Sequence, residues 1–214
     1  MKAESSSDSA GRRWWFAITA DQRRSQQNTD RVPAALTTLS GLDGLALGFE
    51  RTAGDELQGL TDQASAVVAA VSALTRLGEF RIGVGVGTVE EPLPGSTREA
   101  RGAAYVAARL AVDQHSQPVR IRVSAEASEA ETLARHAETA LLALVSCLAR
   151  RSPEGWQVVD LVEQGLSGAA AASRLGITPS AVSQRLRAAE HQLVNRLADL
   201  CEHLLGQLHA GGTS

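Results

Sequence analysis

The chain has 214 residues, of which 43% are hydrophobic and 21% charged; this is the balance of an ordinary globular protein and excludes a largely disordered chain. No apolar run approaches the roughly 18–20 residues needed to cross a bilayer, and only a short apolar stretch follows Arg12-Arg13, so neither membrane spanning nor a signal peptide is expected. The net charge of −3 means that contact with nucleic acid has to come from a local patch and not from a global basic field.

Residues 1–13 are small and polar and predict a disordered tail. Trp14 to Ala20 is apolar, aromatic and β-branched and stops at Asp21, which predicts a buried strand with a carboxylate at its end. Thr29 to Leu39 suits a helix started or broken near Pro33. Leu45 to Glu50 predicts a second strand, Gly54-Asp55 a hairpin turn, and Glu56 to Leu60 a third strand. Asp62 to Leu77 predicts an amphipathic helix capped by Asp62 and stopped by Gly78, with Val67, Val68, Val71, Leu74 and Leu77 at helical spacing.

Phe80 to Gly87 alternates strictly, so it predicts a strand with Gly83, Gly85 and Gly87 on one face. A bare glycine face permits close approach by a helix, a ligand ring or a partner subunit, and a helix is the commonest of these. Glu90 to Thr97 suits a loop, Arg98 to His115 a helix, and Val119 to Ser124 an edge-like strand. The order β-α-β-β-α-β-α-β, with a hairpin between crossovers, predicts an α+β sandwich of the ferredoxin-like type.

Beyond Ala125 strand signals vanish. Glu129 to Arg150 predicts one long helix with Leu133, Ala137, Leu141, Leu144 and Leu148 on one side. Ser152-Pro153 restarts the chain as an N-cap with proline at the first helical position. The expected division is therefore a sheet domain over 14–126, a connector helix over 127–151, a helical domain over 152–208 and a tail over 209–214.

Within the helical domain, three pieces follow one another: Pro153 to Gln164, Ser167 to Leu175, and Pro179 onward. Ser167 can cap the second, Gly176 takes the tight turn before Thr178-Pro179 starts the third, Ala172 allows close approach of two helices, and Val182 with Leu186 supplies a buried face. This is helix–turn–helix geometry, and Ser167 to Leu186 resembles the motif of sigma-factor region four and of LuxR-type regulators. Its candidate DNA-contacting residues are Arg174, Thr178, Ser180, Ser183, Gln184, Arg185 and Arg187, because Ser and Gln read base edges and Arg pairs with guanine or phosphate. Residues 151–214 hold five Arg against six Asp and Glu, which favours the competing reading of a helical hairpin used for packing or protein contact. Leu193, Leu197, Leu200 and Leu204 form an a/d seam that suits packing against the long helix of the same chain or a dimer seam, and a homodimer is expected by some route. The two cysteines, Cys147 and Cys201, match no metal spacing and are expected to be inert core thiols of a cytoplasmic protein.

In the sheet domain, Asp21 at a strand end and Asp55 in the hairpin, with Glu56 as the neighbouring alternative, can converge to hold Mg²⁺ against a nucleotide phosphate. Ordinary turn chemistry accounts for the same residues. Phe80-Arg-Ile-Gly-Val-Gly-Val-Gly and Gly102-Ala-Ala-Tyr-Val-Ala-Ala-Arg-Leu resemble the second half of class III nucleotide cyclases. That resemblance implies metal binding at Asp21 and Asp55 and a transition-state arginine at Arg109, while Tyr105 stands where the cyclases place an asparagine. Taken with Ile18-Thr-Ala-Asp-Gln-Arg-Arg-Ser, Gly54-Asp-Glu-Leu-Gln-Gly-Leu and the terminal helix–turn–helix, the chain resembles SatD-family proteins.

The expectation that follows is a DNA-binding transcription regulator. Its cyclase-like, non-catalytic domain would serve dimerisation or bind a nucleotide or cyclic nucleotide through Asp21, Asp55, Glu56, Tyr105 and Arg109. No cofactor is required beyond Mg²⁺ accompanying such a ligand. The alternatives are a divergent nucleotide cyclase or nucleotidyl transferase, and an adaptor whose helices contact protein.

Overall fold

The computed structural model describes residues 13–23, 29–114, 117–124 and 128–211. Nearly all of the expected N-terminal tail, and His115 at the end of the third expected helix, lie outside these residues. The first part of the chain is built from β1 (Trp15–Gln22), α1 (Val32–Leu39), β2 (Leu47–Arg51), β3 (Glu56–Thr61), α2 (Ala64–Leu77), β4 (Phe80–Gly87), α3 (Ala103–Asp113) and β5 (Val119–Val123). The expected element order is observed. The five strands form one mixed sheet in the order β2-β3-β1-β4-β5, antiparallel except for the β4–β5 pair. Its first four strands have the 2-3-1-4 order of two interlocked β-α-β units, the ferredoxin-like arrangement, and β5 extends it through the α3 crossover.

The two faces of the sheet are filled differently because strand side chains alternate. Phe16, Ile18, Leu57, Ile82, Val84 and Val86 point to one side, where α1 and α2 bury Val32, Leu39, Val67, Val71 and Leu74 on them. On the other side lie Trp15, Ala17 and Leu60 and the glycines of β4, covered by α3 through Ala104, Tyr105 and Ala108. A Cβ on Gly85 would stand 2.0 Å from the Ala104 carbonyl oxygen, and one on Gly83 2.3 Å from that of Ala108. The glycine face therefore receives a helix backbone, as the commonest reading of that pattern expects.

Three boundaries differ from expectation for physical reasons. Asp62 does not cap α2; the Gln63 amide is answered instead by the Thr61 hydroxyl at 2.9 Å, and Asp62 pairs with Arg13. The third helix starts at Ala103 and not at Arg98, because Ser96 and Thr97 donate to the Glu50 carboxylate and the Gly48 carbonyl, both at 2.6 Å, and hold that stretch to β2. The last helix reaches Gly211, past the boundary at 208, with Leu208 buried and the His209 ring 6.1 Å from that of Phe16.

The helical part comprises α4 (Ser128–Ala149), α5 (Pro153–Glu163), α6 (Gly168–Leu175), α7 (Pro179–Ala188) and α8 (His191–Gly211). Far from hanging between two parts, α4 buries Ala137, Leu141, Leu144 and Leu148 in the same cluster as the sheet. Glu138 reaches from α4 to accept the Ile121 amide at 2.8 Å, answering a donor on the edge strand β5. α8 returns to the same cluster through Val194, Cys201, Leu205 and Leu208. Both cysteines are free and buried, as expected, and burial pushes the Cys201 thiol up to about 12. By contrast, α5, α6 and α7 form a small separate core, made of Val158, Ala171, Ala172 and Val182.

Candidate nucleic-acid interface

Each helix of this small unit is started by the residue that the sequence nominates. The hydroxyls of Ser152, Ser167 and Thr178 accept the amides of Gly155, Ala170 and Ala181 at 3.1, 3.2 and 3.1 Å. Gly176 ends α6 at φ +65°, a left-handed conformation that costs glycine least, and the chain reverses there into α7. Ala171 and Ala172 on α6 let α7 close on it, so Val182 is buried against them.

Burying Val182 and Ala189 turns the opposite side of α7 outward. Thr178, Ser180, Ser183, Gln184 and Arg187 are exposed there, and Arg174 is exposed at the end of α6. Arg185 is half-buried on the flank facing α5. Its charge adds to the hydrogen bonds from the residue's own backbone amide and the Ser152 hydroxyl that hold the Glu154 carboxyl below its usual range. Ser183 also donates to the Pro179 carbonyl at 3.1 Å, which keeps its hydroxyl close to the helix.

The even balance of Arg and acid in this region resolves in three dimensions. Asp160 is taken by Arg76 of α2, and Glu190 by Arg150 at the end of α4. Arg174, Arg187 and Arg196 have no ion-pair partner among the described residues. Pairing thus removes acid from the helical unit while leaving its outward guanidiniums available for phosphate.

The long third helix expected from the sequence is two helices. Glu190 has φ +51°, and the chain turns there from α7 into α8. Arg150 holds the Glu190 carboxylate at 3.3 Å and Arg151 donates twice to the Ala189 carbonyl, at 3.3 and 3.2 Å. The leucine seam is rotated accordingly. Val194, Cys201, Leu205 and Leu208 face inward, Leu197 and Leu204 lie at the margin, and Leu193 and Leu200 remain 47% and 45% exposed.

In the sheet domain, Asp21 and the Asp55-Glu56 turn do converge. Asp21 lies opposite Glu56 on β3 and opposite Arg81 on β4, and the Asp55 carbonyl accepts the Gln22 amide at 3.4 Å. Asp21 pairs with Arg81, while Arg109 from α3 pairs with Glu56 and, at 3.2 Å, with Asp113. Glu56, only 5% exposed, also accepts from the Thr52 hydroxyl at 2.7 Å and the Gln58 amide at 3.1 Å. Tyr105 lies one turn before Arg109, and burial, then the Glu50 charge, pushes its phenol up. This donor set does not suit Mg²⁺: the Asp21 and Glu56 carboxylates are already answered by guanidiniums, which would repel a cation. Asp55 makes no ion pair among the described residues, and these contain no group of three or more His, Cys, Asp or Glu placed to hold a metal.

Among the described residues no helix is long and apolar enough to cross a membrane. No curated protein and no solved structure matches the chain. Residues 156–200 match the family described as bacterial regulatory helix-turn-helix protein, lysR family; no family is named for the part before them, so the resemblance to SatD proteins and nucleotide cyclases gains no support there. The matched stretch runs from Trp156 in α5 through α6 and α7 into α8, and such a helix–turn–helix domain points to DNA-binding transcription regulation.

Proposed function

We propose that the chain is a transcription regulator of the cytoplasm in which α7 reads the major groove and the sheet domain carries it. The observation that supports this reading best is the outward row Ser180, Ser183, Gln184 and Arg187 on a helix whose other side is buried, inside the stretch matched by a regulatory helix–turn–helix family. The Thr178 hydroxyl and the Ser180 amide offer hydrogen bonds to a phosphate at the groove edge, and Arg174 adds a second backbone contact. Gln184 and Arg187 suit adenine and guanine edges respectively. α7 passes directly into α8, so backbone contacts have to come from helices and their turns.

Selection of bound duplexes from a randomised pool tests this directly. Arg187→Ala and Gln184→Ala should each weaken the selected duplex by about 1–3 kcal/mol and relax the preference at separate positions. Arg174→Ala should weaken all sequences alike and flatten the salt dependence. Unselective binding by the wild type, or variants indistinguishable from it, sinks the reading.

The same proposal includes a homodimer and a ligand. The exposed Leu193 and Leu200, seven residues apart on one side of α8, supply an apolar seam for a second copy, which would pair two reading helices. For the ligand, the supporting feature is the Arg81–Asp21–Glu56–Arg109 cluster, where a nucleotide phosphate would compete with Glu56 for Arg109. Sedimentation of Leu193→Glu with Leu200→Glu, and thermal shift with nucleotides lost in Arg109→Ala, test the two parts separately.

A further inference from the structure

A polar junction fastens the unit α5–α7 to the sheet domain. Arg76, in the last turn of α2, donates two parallel hydrogen bonds to Asp160 on α5, at 2.6 and 2.7 Å. The same guanidinium lies 4.4 Å over the Trp156 ring, one turn earlier on α5. The Arg151 guanidinium also stacks on the Trp156 ring, at 4.3 Å. Arg151 is only 8% exposed, and both of its bonds to the Ala189 carbonyl end on the last turn of α7.

A row of contacts thus runs from α2 through Arg76, Trp156 and Arg151 to the C-terminal cap of α7. Planar groups stacked and hydrogen-bonded in this way fix direction as well as distance. Two guanidiniums drawn to one indole repel each other, and this is tolerated because Asp160 answers one and the Ala189 carbonyl the other. Burial lowers the Arg151 pKa, and the nearby Arg76 charge lowers it further, whereas Asp160 raises that of Arg76.

We propose that Arg76 is a positioning residue for DNA reading: by clamping Asp160 and Trp156 it sets the direction of α7 relative to the sheet domain. The proposal rests on the reading of α7 as the DNA-contacting helix, and its first test does not need DNA. Any event that moves the end of α2 would re-aim α7 through this clamp, because no other α2 side chain makes an ion pair or aromatic contact with α5–α7 among the described residues.

The test measures amide hydrogen exchange of the full chain by mass spectrometry. Arg76→Gln should speed exchange of α5–α7 about fivefold or more while leaving β1 and β4 unchanged. Arg76→Lys keeps the charge but has neither the fork nor the plane, and it should show the same pattern. Arg76→Asp combined with Asp160→Arg should return exchange in α5–α7 towards the wild-type rate. On a duplex selected by the wild type, Arg76→Gln should weaken binding with an unchanged salt slope, because no phosphate contact is lost. Exchange in α5–α7 equal to the wild type overturns the proposal. Faster exchange spread evenly over the sheet overturns it too, since Arg76 would then only hold up the fold. A wild type that binds no duplex removes the DNA reading, while the exchange data still decide the clamp.

Discussion

The sheet domain and the α5–α7 unit use the same device at different scales. In the first, glycines let a helix backbone settle on a strand; in the second, Ala171 and Ala172 let α6 and α7 close on each other. Behind the first contact stands a core of Phe16, Ile18, Leu57, Leu74, Leu141 and Leu144, each fully buried. Behind the second stand two valines and two alanines, with half-buried Leu161, Leu175, Ile177 and Leu186 around them. Pro153–Ala188 is also shorter than the roughly 40 residues below which a domain usually needs outside support. The lesson is that close packing alone does not make a unit stable. The reader borrows its stability from α8 and from the Arg76 and Arg151 junction.

The hardest way to break the comparison is at the glycine face. Gly85→Val should cost at least about 3 kcal/mol in urea unfolding, since its Cβ alone would meet the Ala104 carbonyl and the Ala108 amide, which are backbone and cannot swing away. Gly95→Ala, in open space, should stay within about 0.5 kcal/mol. If the two variants unfold alike, the close approach of α3 is not what those glycines serve.

Val182→Ala should cost about 2 kcal/mol, but locally. Its loss should raise exchange through α5–α7 and abolish duplex binding while the unfolding transition of the sheet stays in place. A single, uniformly weakened transition would mean that the reader and the sheet domain fold as one unit, which would erase the distinction. Thr178→Ala sharpens it more gently: losing the cap of α7 should cost about 1 kcal/mol, seen as faster exchange confined to the first turn of α7.

How much of this was legible in the sequence follows the range of the forces involved. β4 was readable to the residue because a strict alternation with glycine has one pleated solution. The caps Ser152, Ser167 and Thr178 were equally plain, since each acts on an amide three residues away. The break between α7 and α8 was not, because Ala188, Ala189 and Glu190 all suit a helix. It is imposed from the link between α4 and α5 by Arg150 and Arg151, about 40 residues earlier. The clamp spans 84 residues and has no local signature at all. In the sheet domain the sequence points to Asp21 and Asp55, with Glu56 as the alternative, and the fold sets Asp21 opposite Glu56, which Arg109 holds; Arg81, which takes the Asp21 charge, has no motif to mark it. Its register opposite Asp21 could have revealed it, since side chains two apart on β4 share a face.

The smallest expected effect compares ion pairs of the two regions. Arg76–Asp160 has an indole beside it, whereas Arg51–Asp30 lies in the open near the start of α1. The Arg51 hydrogen bond, then the Val32 amide, holds the Asp30 carboxyl below its ordinary value. A carboxyl lowered in the folded state stabilises above its unfolded pKa, and that contribution disappears as pH falls through the lowered value. Asp30 should therefore add only a slight acid-side slope to stability below about pH 4, with nothing lost at neutral pH. Because both partners are well exposed, salt should erase most of it. Arg51→Met should flatten that slope in low salt and leave duplex binding untouched. A loss of binding in Arg51→Met would mean that the start of α1 also steers the reader, and the polar junction at Arg76 would no longer be its main fastening.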